Sequence, residues 1–367
     1  MRKKLCAIGT FIGVLFAVAG CGSLNQSGDK SGKSLSTYVV EDITGRRVEF
    51  DKVPESVVVL GHGGLKFYAY VCGDEKLIGV EDMEKQGRTL KSQGFHHAYP
   101  HIRKVDTVGM GGPKISPDYE QISYKKPDVI FRAYADKDEL DKMQQRLKIP
   151  VVGIGAGKNG EIFGEDTYKT IGIVGKVMGK EQRSEELVQF IKETEKDLRK
   201  RAGNIVSGPK TYMGGCAFRG EQGILSTKGK ADLLDVIKVN NVMAGQTKER
   251  SVIIDKEKLL ELDPEMIIVD LSGKAKILGE RQEDPEFFQS LRAVKNENMY
   301  AIMPYFTYGM NYDTALLDMY YIGKLTHSEA FQDVDINSKA KEIYTLFNGT
   351  DVYGQLLKAY PQSFKRF

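Results

Sequence analysis

Cysteine, tryptophan and long apolar stretches are what this chain has least of. Four cysteines and no tryptophan occur among its 367 residues. Cys6 lies inside an N-terminal leader and Cys21 at its end, which leaves Cys72 and Cys216 for the folded part. One stands on each side of a long helix joining two lobes, so a disulfide would lock those lobes together; two small buried thiols are the expectation instead. The one extended apolar run, Leu5–Ala19, is shorter than the roughly 20 residues a spanning helix needs. Charge of one sign is also missing. Lys and Arg number 53 against 50 Asp and Glu, and without Arg2, Lys3 and Lys4 the counts are equal at 50. A chain with no basic excess lacks the electrostatic footprint of a nucleic-acid binder. No G-x-x-x-x-G-K-S/T, G-x-S-x-G or H-E-x-x-H occurs. With no acid/base or nucleophilic constellation either, an exported two-lobed enzyme is the weakest reading.

What is present begins with the leader. Arg2-Lys3-Lys4, the apolar run and then Val18-Ala19-Gly20-Cys21 read as a secretory signal ending in small residues. The last tetrapeptide resembles a bacterial lipobox, which implies cleavage before Cys21 and diacylation of its thiol. Residues 1–20 are therefore expected to be a signal peptide, and 21–36, small and polar, a flexible tether.

Lys180 to Arg201 carries apolar residues at Leu187, Val188, Ile191 and Leu198, with charge almost everywhere else and neither Gly nor Pro. That is the 3.6-residue pattern of an amphipathic helix, long enough to bridge two lobes. On each side strand and helix patterns alternate. Ser56–Leu60, Lys76–Val80, Asp128–Phe131 and Val151–Ile154 precede it, and Lys210–Met213 follows. The fold class expected is α/β: two Rossmann-like lobes, 37–179 and 204–367, joined by a single interdomain helix over 180–203.

Gly155-Ala156-Gly157-Lys158-Asn159-Gly160 fits G-x-G-x-x-G but leads into about 40 residues of helical sequence, not into a βαβ unit with its acidic residue about 20 positions on. It reads as a loop. His96, His97 and His101 could ligate a metal, yet no Cys, Asp or Glu lies among them, and a polar surface loop explains them as well.

An internal echo is more specific. Glu120 and Glu257 each stand seven residues before a proline, Pro127 or Pro264, which is followed by an acid and an apolar strand. Each glutamate opens a short helix, where negative charge meets the positive end of the dipole. With Asp42-Ile43-Thr44-Gly45-Arg46, the single long helix and Ser290–Tyr300, this pattern resembles the class III substrate-binding proteins of ABC importers, which serve ferric siderophores, haem and vitamin B12. Phe218-Arg219-Gly220 and Pro304–Asn311 resemble its iron-complex branch. The resemblance implies a monomeric binding protein, lipid-anchored on the outer face of the cytoplasmic membrane. It implies docking of Glu120 and Glu257 to the two halves of a permease dimer driven by an ATPase, with no intrinsic cofactor. The ligand implied is a ferric chelate, haem or corrinoid.

The crevice of such a fold is lined by loops at strand carboxyl ends. They are Gly61–Lys66, Glu81-Asp82, Met110–Pro113, Arg132–Tyr134, Gly214–Arg219, Asp270–Ser272 and Tyr305–Tyr312. His62 and Lys66 face it from the first lobe by position. Arg132 and Arg219 supply forked donors for anionic oxygens. Tyr134, Tyr305, Tyr308 and Tyr312 offer flat faces to a planar complex. The alternative is direct capture of a bare metal ion by His62 with Glu81 or Asp82. The leader carries its own test: Cys21→Ser should release the protein from membranes or leave it as uncleaved precursor, and an unchanged mass and membrane fraction would count against a lipobox.

Overall fold

The computed structural model describes residues 37–112, 116–155, 161–203, 208–217, 220–247, 249 and 251–367. The expected signal, tether and lipidation point, most of the glycine loop after Gly155, and Arg219 lie outside these residues.

Tyr38–Glu41 (β1) and Arg47–Phe50 (β2) pair antiparallel around the Thr44-Gly45 turn. The turn is built by one carboxylate. Asp42 Oδ1 accepts from the backbone N–H groups of Thr44 and Arg46 at 2.9 and 3.0 Å, while Oδ2 takes Gly153 N–H at 3.0 Å. Arg46 then donates to Asp42 at 3.0 Å, Asp141 at 2.6 Å and the Val151 carbonyl at 2.9 Å. The Asp42–Arg46 motif thus staples the hairpin to the edge of the first sheet.

That sheet holds Val57–Leu60 (β3), Leu77–Val80 (β4), Asp106–Thr107 (β5), Val129–Ala133 (β6) and Val151–Ile154 (β7), all parallel, in the order β5-β4-β3-β6-β7. Every residue of β3, β6 and β7 is buried, as expected when helices cover both faces of a parallel sheet. Beyond the long helix come Thr211–Gly214 (β8), Ser226–Thr227 (β9), Val252–Ile253 (β10), Met266–Asp270 (β11) and Met299–Ile302 (β12). β12-β11-β8 form a parallel sheet, and β9 and β10 an antiparallel ribbon.

The long helix spans Glu181–Ala202 and buries Ser184, Leu187, Ile191, Thr194, Leu198 and Ala202, one stripe along its length. Its exposed i,i+4 pairs contribute little; its cross-contacts are more telling. Near its start Arg183 donates to the Tyr70 carbonyl at 3.2 Å, and near its end Asp197 accepts from Tyr320 at 2.8 Å and Arg201 grips Asp333 at 2.6 and 2.9 Å. The chain after it does not stay on one side. Ile336–Asn348 and Tyr353–Ala359 pack on helices of the first lobe, Gly64–Cys72, Gly87–Ser92 and Gly94–Ala98. One apolar core consequently runs from Val40 to Leu356. Cys72 and Cys216 are free and buried, and burial pushes both thiols up to about 12. Among the described residues no helix is long and apolar enough to cross a membrane.

Candidate functional site

The first sheet reverses its winding between β3 and β6, and loops leaving such a switch point diverge to open a crevice. His62 leaves β3 there and Tyr134 leaves β6. Their rings stack 4.3 Å apart at 4°, and Tyr308, from the loop after β12, meets His62 edge-on at 6.3 Å. Tyr134 and Tyr308 both carry positive φ, 57° and 47°. A left-handed backbone at a bulky residue costs about 1–2 kcal/mol, and such residues cluster at ligand sites. Burial, reinforced by Lys66 and Arg132, lowers the His62 pKa and favours the neutral imidazole.

The loop carrying Tyr308 is bolted to the first lobe. Lys66, fully buried, donates to the carbonyls of Thr307 at 2.8 Å and Tyr308 at 2.6 Å, and Gln93 adds a 2.7 Å bond to Thr307. The Tyr308 hydroxyl donates to Glu81 at 2.6 Å and accepts from Gly112 N–H at 2.9 Å. Burial raises the Glu81 pKa against that hydrogen bond. Backbones meet at Gly63 and Gly309, where a Cβ on Gly309 would come 2.8 Å from the Gly63 Cα. Farther along, Arg88 pairs with Glu221 at 3.1 Å, and Asn311 donates to the Ser92 carbonyl at 3.3 Å.

Of the residues expected to line the crevice, His62, Tyr134 and Tyr308 come together, with Lys66 behind them. Three others need correction. Arg132 is buried and aims its fork at Glu139, at 3.1 and 2.6 Å, and at the Ala133 carbonyl. Tyr305 and Tyr312 are each only 2% exposed. Tyr312 opens the helix Tyr312–Thr326 and packs 5.2 Å from Phe67, so its ring belongs to the core. Glu81, offered to a bare metal in the alternative reading, is engaged by Tyr308.

The surface-loop explanation of the histidines also fails for His96, which is wholly buried with its Nε2 3.7 Å from Glu84, itself 2% exposed. His101 is exposed, and His97 lies 3.0 Å from the Lys91 carbonyl. Sequence reasoning missed Glu84, Gln93 and the buried Lys228, none of which stands in a periodic pattern. Glu120 and Glu257 are exposed in the first turns of Tyr119–Lys125 and Lys256–Leu262. Both helices are capped by an aspartate, Asp118 or Asp255, and end in a left-handed residue, Lys126 or Asp263, before β6 or β11.

The two-lobed frame with its crevice can be set beside known proteins. A model of the periplasmic binding protein family matches residues 87–305, more than half of the chain. The chain belongs to that family. It is similar to the ABC transporter substrate-binding lipoprotein YvrC of Bacillus subtilis, 23% identical over 83% of this chain and 91% of that protein. It is equally similar to the molybdate-binding protein MolA of Haemophilus influenzae, 23% identical over 86% of this chain and 92% of that one. Among solved structures, a periplasmic solute binding protein from Veillonella parvula superposes with a TM-score of 0.74 at 21% identity, covering 88% of this chain and 96% of that one. The chain is therefore an extracytoplasmic substrate-binding protein of an ABC transporter, working with a permease and ATPase, and not an enzyme.

Lys66 makes the lobe junction sensitive to pH. Burial brings its pKa from the ordinary 10.5 down to about 8, against the opposing fields of Glu84 and Asp313. Between those values the unfolded chain holds this proton more tightly than the folded one, so the contribution of Lys66 to stability rises with pH across that window. The rise is about 1.4 kcal/mol per pH unit at most. Cys72 and Cys216, whose thiols ionise in the unfolded chain over the same range and stay protonated in the fold, pull the other way. Urea unfolding at pH 8, 9 and 10 should therefore give the wild type a more positive slope of stability against pH than Lys66→Met; equal slopes would remove Lys66 as a source.

Proposed function

We propose that the crevice captures a preformed metal complex, a ferric chelate, haem or corrinoid, and that the chain delivers it to the permease while anchored through lipid on Cys21. One observation carries this reading: the His62 ring lies flat on Tyr134 at the switch point of the first sheet, where burial favours its neutral form. A neutral imidazole keeps a lone pair for a metal centre. The stacked pair, with Tyr308 edge-on, is suited to a planar ligand face. In this reading Arg219 approaches the complex from the second lobe as a forked donor to its anionic edge. Haemin, iron(III) tricatecholate and cyanocobalamin are the probes, followed by tyrosine fluorescence. At least one should bind, and His62→Ala and Tyr134→Ala should each weaken it about 10-fold or more, the scale of a lost ring contact and ligand bond. Binding of none, or unchanged affinity in both variants, would overturn the proposal.

The outer face is proposed to dock the permease through Glu120 and Glu257. The same capped helix presents an exposed carboxylate once in each lobe, which suits a partner with two equivalent halves. Surface charge of this kind sets register and encounter rate more than affinity for ligand. The Glu120→Ala/Glu257→Ala double variant should keep its fold and ligand affinity while cellular uptake of the bound probe falls severalfold. Wild-type uptake would remove the assignment.

A further inference from the structure

Lys228 follows β9 directly and is 8% exposed. Its ammonium has three protons to donate. One goes to the Ser251 hydroxyl at 3.2 Å, and the group stands 5.4 Å from the centre of the Phe306 ring. Among the described residues it makes no ion pair within 4.0 Å. The other buried cations of the fold have more acceptors: Lys66 has two carbonyls, Arg46 two aspartates and Arg132 a glutamate. A lysine this deeply set in the fold, with a single hydroxyl as its hydrogen-bond acceptor among the described residues, keeps donor capacity for a further acceptor.

Its location indicates one. The Lys228 charge acts on Cys216, two residues beyond β8, and on Asp270, the last residue of β11. Phe306, under the ammonium, belongs to the loop after β12, two residues before Tyr308. Cys216 and Asp270 follow or end strands of the second sheet at their carboxyl ends, and Phe306 shares its loop with Tyr308, which meets the His62 ring. Asp270 is not the missing counter-ion. It stays beyond ion-pair distance, and burial pushes its carboxyl up to about 6.

We propose that Lys228 is an anion-binding residue of the second lobe, its ammonium held for a carboxylate, catecholate or oxyanion oxygen of the ligand. The proposal rests on the crevice being the ligand site and adds that the ligand carries negative charge where it meets this lobe. Calorimetry with molybdate, iron(III) tricatecholate, haemin and cyanocobalamin, the last as a complex without net charge, tests it on wild type, Lys228→Met and Lys228→Arg. Lys228→Met should weaken every anionic probe that the wild type binds by about 10-fold or more and leave cyanocobalamin unchanged. Lys228→Arg, which keeps the charge, should retain most of the affinity, and this holds the test open if the Met variant does not fold. Unchanged anion affinity in a folded Lys228→Met, equal losses for charged and uncharged probes, or a wild type that binds no anionic probe would each overturn it. Molybdate as the sole ligand, lost in Lys228→Met, would support Lys228 while ending the metal-complex reading. Cyanocobalamin as the sole ligand would do the reverse.

Discussion

One buried ammonium fixes how the two lobes meet. Lys66 rises from the helix that follows β3 and spends its hydrogen bonds on two carbonyls of the loop that follows β12. Drawing the lobes apart at this point would break both of these bonds at once, each worth about 1.5–3 kcal/mol for a charged donor. Neighbouring contacts reinforce it: Gln93 on the same Thr307 carbonyl, Asn311 on Ser92, and Tyr70 on Asp313 at 3.1 Å. The long helix restrains the far side, since Glu181–Ala202 contains neither Gly nor Pro and is tied at both ends to opposite parts of the molecule. Wide hinge closure is therefore disfavoured by the same contacts that create the crevice.

The restraint also explains how two tyrosines can be kept in a conformation that they avoid elsewhere. Most other non-glycine residues with positive φ occupy turns or helix ends, such as Lys126, Lys148 and Asp263. Tyr134 and Tyr308 differ in that both rings meet the His62 ring, one from the loop after β6 and the other from the loop after β12. Tyr308 is over-determined: its carbonyl is held by Lys66, and its hydroxyl by Glu81 and Gly112. Tyr134 is pinned by the β-type bond from its N–H to the Ile154 carbonyl at 2.9 Å and by the His62 ring. Strain fixed in this way holds the two aromatic faces in one place, so a ligand docking on them would not have to order them.

The frame was legible because its signals are local. Val57–Leu60 is apolar on both faces and ends in glycine, which only a covered parallel strand explains, and the stripe of the long helix shows directly in its spacing. Side-chain direction within such strands was not legible. All five residues of β6 are buried, so alternation cannot tell whether Arg132 points to the crevice or back to the following helix, where Glu139 takes it. Tyr305 and Tyr312 share a segment with Tyr308, and nothing in their composition separates a loop tyrosine from one that starts a buried helix. The Glu84–His96 and Lys228–Phe306 contacts join residues without a common period, so only the folded chain brings them together.

The echo between the lobes places the same capped helix once in each. Each short helix is secured by its aspartate cap and its left-handed end, and an acid in the first turn adds only about 0.3–1 kcal/mol through the dipole. That accounts for an acid at each position but not for its freedom. Around Glu257 the lysines are already taken, Lys256 by Asp284 at 2.6 Å and Lys258 by Glu261 at 3.0 Å. Glu120 likewise makes no ion pair among the described residues, although Lys125 on its own helix pairs with Asp106. Two exposed carboxylates whose neighbouring cations are paired elsewhere remain available to positive charge on another molecule, and the repeat supplies one such carboxylate in each lobe.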